Sequence, residues 1–243
     1  MPHVSVKREL ARSDHDQRIA EMFDRVAPRY DALNRILSGG RDVGWRRRAI
    51  ALARLGPREA ALDVGVGTGD LAFGLLEASD ASARVIGVDL SAAMLGAARR
   101  RAETSRERRF ALAIATAERL PFADGAFDRV VAGFAVRNFG DLALGLREMR
   151  RVLRVGGRAV VLELSTPPNQ LVGAAYRLYF HRLSPLIAWM LGGDAAAYRY
   201  LPRSVAAFPD ADGLAIRMRD AGFARVRYER LNLGIAAIHV GEA

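Results

Sequence analysis

From residue 60 onward the chain alternates between short, dense apolar runs and longer stretches in which apolar residues recur every three or four positions. The runs at 60–64, 84–89, 110–115, 127–134 and 158–164 are of strand length, and helical stripes fall at 70–78, 92–103 and 142–153. Strands and helices alternating in this way predict a parallel sheet with helices on both faces. Ahead of this unit, Ile19, Met22, Phe23 and Val26 form a helical stripe over 18–30, which Pro28 ends or bends. Ser38-Gly39-Gly40 reads as a loop, and 45–55 as a second helix before the turn at Gly56-Pro57. Beyond 164 the rhythm is lost. The stretch 167–201 is apolar and aromatic, with tyrosines at 176, 179, 198 and 200 and no strand pattern, so it reads as an inserted helical cap. A helix over 210–221 ending at Gly222, then strands over 224–231 and 234–239, close the sheet as an antiparallel pair. The expected organisation is a disordered segment over 1–15 and one domain over 16–243, with a helical lid at 16–58 and the cap insertion at 165–209.

Composition narrows the chemistry. With no cysteine, disulfides, thiolate metal sites and cysteine nucleophiles are excluded. His3, His15, His181 and His239 are scattered without metal-ligand spacing, so no metal site is expected. The net charge of +10 raises the question of nucleic acid or an anionic membrane, yet it forms no sustained run. Of 37 basic residues only Lys7 is lysine, which with abundant alanine looks like coding bias, and solvated helix faces account for most of the charge. The first twenty residues are polar, with no apolar signal segment. The longest greasy stretch, 178–191, is interrupted by His181 and Arg182 and is short of the roughly 20 residues a membrane span needs. A cytoplasmic protein is expected, with at most peripheral contact at the inner face of a membrane.

The candidate site begins in the run Ala60-Ala61-Leu62-Asp63-Val64-Gly65-Val66-Gly67-Thr68-Gly69-Asp70. Glycines at 65, 67 and 69 permit a tight turn and let a ligand lie against bare backbone. Twenty residues past Gly69 the next apolar run ends at Asp89, where an acid can accept hydrogen bonds from both ribose hydroxyls. Ser91 is the better cap for the following helix, which leaves Asp89 free for a ligand. A dinucleotide fingerprint starting at Gly65 needs glycine at 70, but Asp70 stands there. Its carboxylate would repel a phosphate and suits a cationic ligand. Together with Asp63, this loop resembles that of class I S-adenosylmethionine-dependent methyltransferases, whose ligand carries a sulfonium and an ammonium and no phosphate.

Ligands in such sheets sit over the carboxyl ends of the strands. After the third strand comes Thr116-Ala117-Glu118-Arg119-Leu120-Pro121-Phe122, where an adenine would lie. After the fourth comes Gly133-Phe134-Ala135-Val136-Arg137-Asn138-Phe139, with Arg137 and Asn138 directly behind a buried strand. Two plain structural roles exist for these: Arg137 pairing with Glu148 or Asp141, and Asn138 capping the next helix.

Tyr30-Asp31-Ala32-Leu33-Asn34-Arg35-Ile36-Leu37-Ser38 with Trp45 following resembles the N-terminal signature of the ubiquinone and menaquinone biosynthesis C-methyltransferases. So do Phe134 to Asn138, the run Arg147 to Leu153 leading into Gly156-Gly157, and Tyr198-Arg199-Tyr200-Leu201 with Ser204 and Phe208-Pro209. The likeness extends over residues 18–241. It implies a Rossmann-like class I methyltransferase fold, a mostly parallel seven-stranded sheet, and methyl transfer from S-adenosylmethionine to a ring carbon of a polyprenylated quinol. It also leaves room for a homodimer. The cofactor contacts it implies are Thr68, Asp89, Thr116 with Ala117, and Gly133, joined to Gly65, Gly67 and Gly69 of the loop. Thr116 departs from the family's usual Asn or Asp, and Val155 from a usual Pro.

Methylating an aromatic carbon needs electron density that a neutral quinone lacks, so a reduced ring with one ionised hydroxyl is expected as substrate. A phenol titrates near about 10 in water, taking tyrosine as the guide. Arg137 stays protonated and is therefore expected to stabilise the quinolate oxygen or orient a water. Tyr30 and Asn138 would hold the other ring oxygen, His181 is a candidate base, and the prenyl tail would lie along 178–191. Two rivals stand beside this reading. A nucleic-acid methyltransferase of the base N-methylating kind would carry an Asn/Asp-Pro-Pro-aromatic turn where this chain has Phe-Ala-Val-Arg-Asn. A scaffold that binds S-adenosylmethionine without turnover would have no need of Arg137 and Asn138.

Overall fold

The computed structural model describes residues 13–178 and 195–243. Seven strands form one sheet: β1 (Ala60–Val64), β2 (Arg84–Asp89), β3 (Phe110–Ile114), β4 (Phe127–Gly133), β5 (Leu153–Leu164), β6 (Arg225–Leu231) and β7 (Ala236–Glu242). Their order across the sheet is β3-β2-β1-β4-β5-β7-β6, with the first five parallel and β7 antiparallel to both its neighbours. The chain therefore reverses direction across the sheet beside β1, and the crevice outside the strand ends at such a reversal is where ligands bind in open α/β sheets.

Successive residues of the central strands face opposite sides. Leu62, Val130, Ala159 and Val161 pack with α6 (Leu142–Arg151) and with the helix Ala211–Asp220. Ala61, Val131, Val160 and Leu162 pack with α3 (Arg41–Ala53) and α4 (Asp70–Glu77). Each fully buried Leu or Val contributes on the order of 1.5–3 kcal/mol, so the rigid part of the molecule is this two-sided core. The remaining helices are α1 (Asp14–Val26), α2 (Tyr30–Leu37), α5 (Ala92–Ser105), α7 (Gln170–Leu178) and α8 (Ala195–Ala207), with Ala211–Asp220 as α9.

Several boundaries differ from the sequence reading for identifiable reasons. Helix α1 starts at Asp14 instead of residue 18, because Ser13 and Asp16 form a reciprocal capping box, each side chain taking the other's backbone N–H. Residues 13–15 of the segment expected to be disordered thus belong to a capped helix, while 1–12 lie outside the described residues. Pro28 sits in a single 3-10 turn, Ala27–Arg29, that joins α1 to α2. Strand β5 begins at Leu153, five residues early. Gly156-Gly157 lies at an irregularity inside the ladder, where pairing shifts between Phe127 and Arg129 and Gly156 takes φ +75°. Strand β7 runs on to Glu242. The cap expected over 165–209 is helical at α7 and α8, and its stretch from Tyr179, with His181, lies outside the described residues. Among the described residues no helix is long and apolar enough to cross a membrane, and no group of three or more His, Asp or Glu could hold a metal ion.

Candidate active site

The glycine loop is built as much by the protein's own packing as for a ligand. Gly65, Gly67 and Gly69 all take positive φ, +72°, +54° and +93°. The backbone N–H groups of Gly65 and Val66 both donate to the Val88 carbonyl, at 2.8 and 3.0 Å, folding the loop over the end of β2. A Cβ at Gly65 would lie 2.4 Å from the Ala135 methyl, whereas a Cβ at Gly67 would meet nothing within 4 Å. Gly65 is therefore demanded by the neighbouring loop, and Gly67 is the one that leaves its side open. Asp89 is not the free acid expected from the sequence. Its carboxylate accepts from Gly67 N–H at 2.8 Å and from Ser91 N–H at 2.9 Å, while Ser91 caps α5 through Met94 N–H. Each carboxylate oxygen keeps a second lone pair for a ligand hydroxyl. Burial pushes the Asp89 pKa up, and those backbone N–H groups pull against it.

Three cavities meet above the strand ends. A narrow cleft between the loop and α1 is walled by Phe23, Asp89, Leu90, Met94 and Ala117. A small polar recess under the loop is walled by Arg46, Asp63, Thr68 and Asp70. The largest, about 590 Å³, is mostly apolar and opens between α2 and the cap, with Leu37, Leu164, Leu201 and Ile235 in its wall beside Arg137. Gly65, Gly67 and Gly133 line both the cleft and the recess, Phe134 lines both the cleft and the large cavity, and Tyr30 lines all three. Tyr30 is thus the side chain around which the cavities converge. Its burial pushes the hydroxyl pKa up against the pull of the Arg137 charge and a hydrogen bond with Asn34.

Beyond Gly133 the backbone turns back through Phe134 at φ +58°, a left-handed conformation rarely adopted by an aromatic residue and kept only where the surrounding structure over-determines it. The 3-10 turn Val136–Asn138 follows. In consequence the Phe134 carbonyl faces its own successors, accepting from Arg137 Nη1 at 2.6 Å and Asn138 Nδ2 at 3.4 Å. Arg137 pairs with neither Glu148 nor Asp141. Glu148 binds Arg151 and the Leu120 N–H, Asp141 caps α6 through Leu144 N–H, and the partner of Arg137 is Glu163 on β5, 2.7 Å away. Asn138 does not cap a helix either. Its Oδ1 accepts from the Tyr200 hydroxyl at 3.0 Å and its backbone carbonyl faces His15 Nε2 at 3.1 Å.

Other expected residues fall into place unevenly. Thr68 is buried and donates to Asp31 at 2.8 Å. Ala117 lines the cleft, but Thr116 is buried and does not. Instead Glu118 reaches the cleft, its carboxylate taking the N–H groups of Gly140 and Asp141. Asp70 is held by Arg101 at 2.8 Å and lies 3.5 Å from Arg46. Glu163 and Tyr200 are the functional candidates that sequence reasoning missed. The signal for Glu163 was present, since an acid inside the apolar run of β5 must find a buried partner.

The model of the ubiE/COQ5 methyltransferase family matches residues 11–243. The chain belongs to that family. It is 50% identical over 222 residues to a demethylmenaquinone methyltransferase of Thermus thermophilus, a match covering 91% of this chain and 99% of the relative. It is 41% identical over 231 residues to a ubiquinone/menaquinone biosynthesis C-methyltransferase of Geotalea uraniireducens, covering 95% and 98%. Among solved structures, a SAM-dependent methyltransferase of Thermotoga maritima superposes with a TM-score of 0.66 at 21% identity, covering 92% of this chain and 99% of that one. The cyclase SpnF does so at 0.70 and 18% identity, covering 93% and 96%, so the fold by itself does not choose the reaction.

Membership in this family makes S-adenosylmethionine the cofactor, and the residues fit it. The open side at Gly67 and the carboxylate of Asp89 suit the ribose. In the recess, Asp63 Oδ2 is buried with no hydrogen-bond partner among the described residues, an orphan acceptor that suits an ammonium, and Arg46 suits a carboxylate. Burial pushes the Asp63 pKa up to about 8, so in the free protein this acid is protonated at pH 7. A cation brought into the recess favours the ionised form and lowers that pKa. Binding of S-adenosylmethionine is therefore expected to release up to one proton at pH 7, with the release vanishing above about pH 9. Calorimetry in buffers of different ionisation enthalpy reads this directly; buffer-independent heats at pH 7 would show that Asp63 does not change its protonation when the cofactor binds.

Proposed function

We propose that this chain methylates a ring carbon of a polyprenylated quinol, with demethylmenaquinol and the methoxy-polyprenyl-benzoquinol as the two candidate acceptors. The observation that carries the reading is Arg137, a buried cation facing a large apolar cavity that shares the walls Tyr30 and Phe134 with the cofactor cleft. S-adenosylmethionine supplies an electrophilic methyl group. The chain's task is to make the acceptor carbon nucleophilic and to keep water from competing. Arg137 is always protonated, so it acts by stabilising an oxyanion, favouring the quinolate over the quinol. Tyr30, kept as a neutral phenol by its burial, can donate to the other ring oxygen, while Asn138 lines the cofactor cleft and not the acceptor cavity and accepts from the Tyr200 hydroxyl. Leu37, Leu164, Leu201 and Ile235 offer the prenyl tail an apolar bed outside the stretch 178–191. Ile36 and Leu233 line the same cavity and are also exposed, which favours peripheral contact with a membrane from which such a tail would enter.

Redox state tests the reading, because the oxidised ring is itself an electrophile and cannot attack a methyl donor. The experiment supplies labelled S-adenosylmethionine and a short-chain demethylmenaquinone analogue under anaerobic conditions, with and without dithionite. Label is expected in the ring only with reductant, at a rate rising with pH as the hydroxyl ionises. Equal labelling of the oxidised quinone would refute the quinol mechanism, and with RNA added to the same mixture, label in the RNA but in neither quinone would favour a nucleic-acid acceptor.

A further inference from the structure

Glu163 is buried, and both of its carboxylate oxygens are held. It stands at the C-terminal end of β5, and its side chain is 2% exposed against 7% for Arg137. Oε1 takes Arg137 Nη1 at 2.7 Å and Leu164 N–H at 2.8 Å, while Oε2 takes the backbone N–H of Arg137 at 3.3 Å. The carboxylate thus grips both the backbone and the guanidinium of a single residue. The Phe134 carbonyl holds the same Nη1, so one corner of the guanidinium is pinned from two sides. Its Nε is buried and has no hydrogen-bond partner among the described residues, although Arg137 lines the large cavity. Glu163 is not in that cavity's wall, so it does not touch a substrate there.

We propose that Glu163 is the positioning residue of the site: it fixes the direction in which Arg137 meets the acceptor oxygen and, by cancelling most of the Arg137 charge, sets how far that oxygen's ionisation is favoured. This inference rests on the quinol reading above. Two opposite effects follow from one contact. A guanidinium without its carboxylate would stabilise a quinolate more strongly but would be poorly aimed. With the carboxylate in place it is well aimed and weaker. The other titratable groups facing this point are Tyr30 from α2, Tyr200 from α8, Arg46 from α3 and His15 from α1, which meets the Asn138 carbonyl. None of these is removed by changing Glu163.

The test is the pH dependence of kcat for the full-length protein with saturating S-adenosylmethionine and a reduced short-chain demethylmenaquinol, anaerobically from pH 6 to 10. Glu163→Gln keeps an acceptor oxygen and loses the charge. Its ascending limb is expected to move to lower pH by about one unit, while its plateau falls roughly tenfold because the guanidinium is less firmly aimed. Glu163→Asp keeps the charge and withdraws it by one methylene. Its plateau should fall with the limb in the wild-type position, and it carries the test should the glutamine variant fail to fold. The dissociation constant for S-adenosylmethionine should stay within about twofold in both variants. A Gln variant whose limb does not move overturns the proposal, and so does an Asp variant with a wild-type plateau. Abolished turnover at every pH in both folded variants would also overturn it, by making Glu163 a proton acceptor. A wild-type protein inactive on the quinol in the same assay would instead refute the acceptor assignment on which the proposal stands.

Discussion

Arg137→Ala is expected to reduce quinol methylation by at least a hundredfold while leaving the dissociation constant for S-adenosylmethionine within about twofold. Removing one preorganised donor to a developing oxyanion costs on the order of 10²–10³ in turnover, and Arg137 lines the acceptor cavity but not the cofactor cleft or the polar recess. The same substitution strips a buried carboxylate of its counter-ion, a change that costs about 3–5 kcal/mol of stability. Kinetics must therefore be read on protein shown to be folded by its thermal transition. Pairing the change with Glu163→Gln removes the stranded charge and should recover much of the stability without recovering turnover. Near-normal kcat in folded Arg137→Ala would reduce the residue to a structural ion pair.

The second large effect is at Asp89. If each of its oxygens spends a remaining lone pair on a ribose hydroxyl, Asp89→Ala deletes two charge-assisted hydrogen bonds worth roughly 1.5–3 kcal/mol each. It also releases the Gly67 and Ser91 N–H groups that hold the loop closed over β2. A loss of S-adenosylmethionine affinity of at least about tenfold is expected by calorimetry, and a hundredfold loss is well within reach. Asp89→Asn separates the two roles, since its amide oxygen can still take one loop N–H. A partial loss there would assign part of the effect to the loop, whereas unchanged affinity in Asp89→Ala would remove Asp89 from the cofactor site.

What the sequence made legible was local. Dense apolar runs broken by glycine located β1, β2 and β4, and the spacing from Gly69 to Asp89 placed the cofactor loop because the loop after β1 folds against the end of its neighbour β2. What it concealed was long-range or directional. The partner of Arg137 lies 26 residues away on the neighbouring strand, where periodicity carries no information, so the nearer acids Glu148 and Asp141 looked equally suitable. Thr116 sits in the right loop but outside the cleft wall, because the direction of a side chain in irregular backbone is not set by its position in the chain. The start of α1 was hidden for a different reason: a capping box is made of polar residues, which an apolar stripe cannot reveal.

The position of Tyr30 has a thermodynamic corollary. One aromatic ring forms part of the wall of the cleft, the recess and the acceptor cavity, so a ligand in one of them that shifts the ring changes the surface the others present. Donor and acceptor are then linked ligands, and linkage is reciprocal: the factor by which bound S-adenosylmethionine tightens the quinol must equal the factor by which the quinol tightens S-adenosylmethionine.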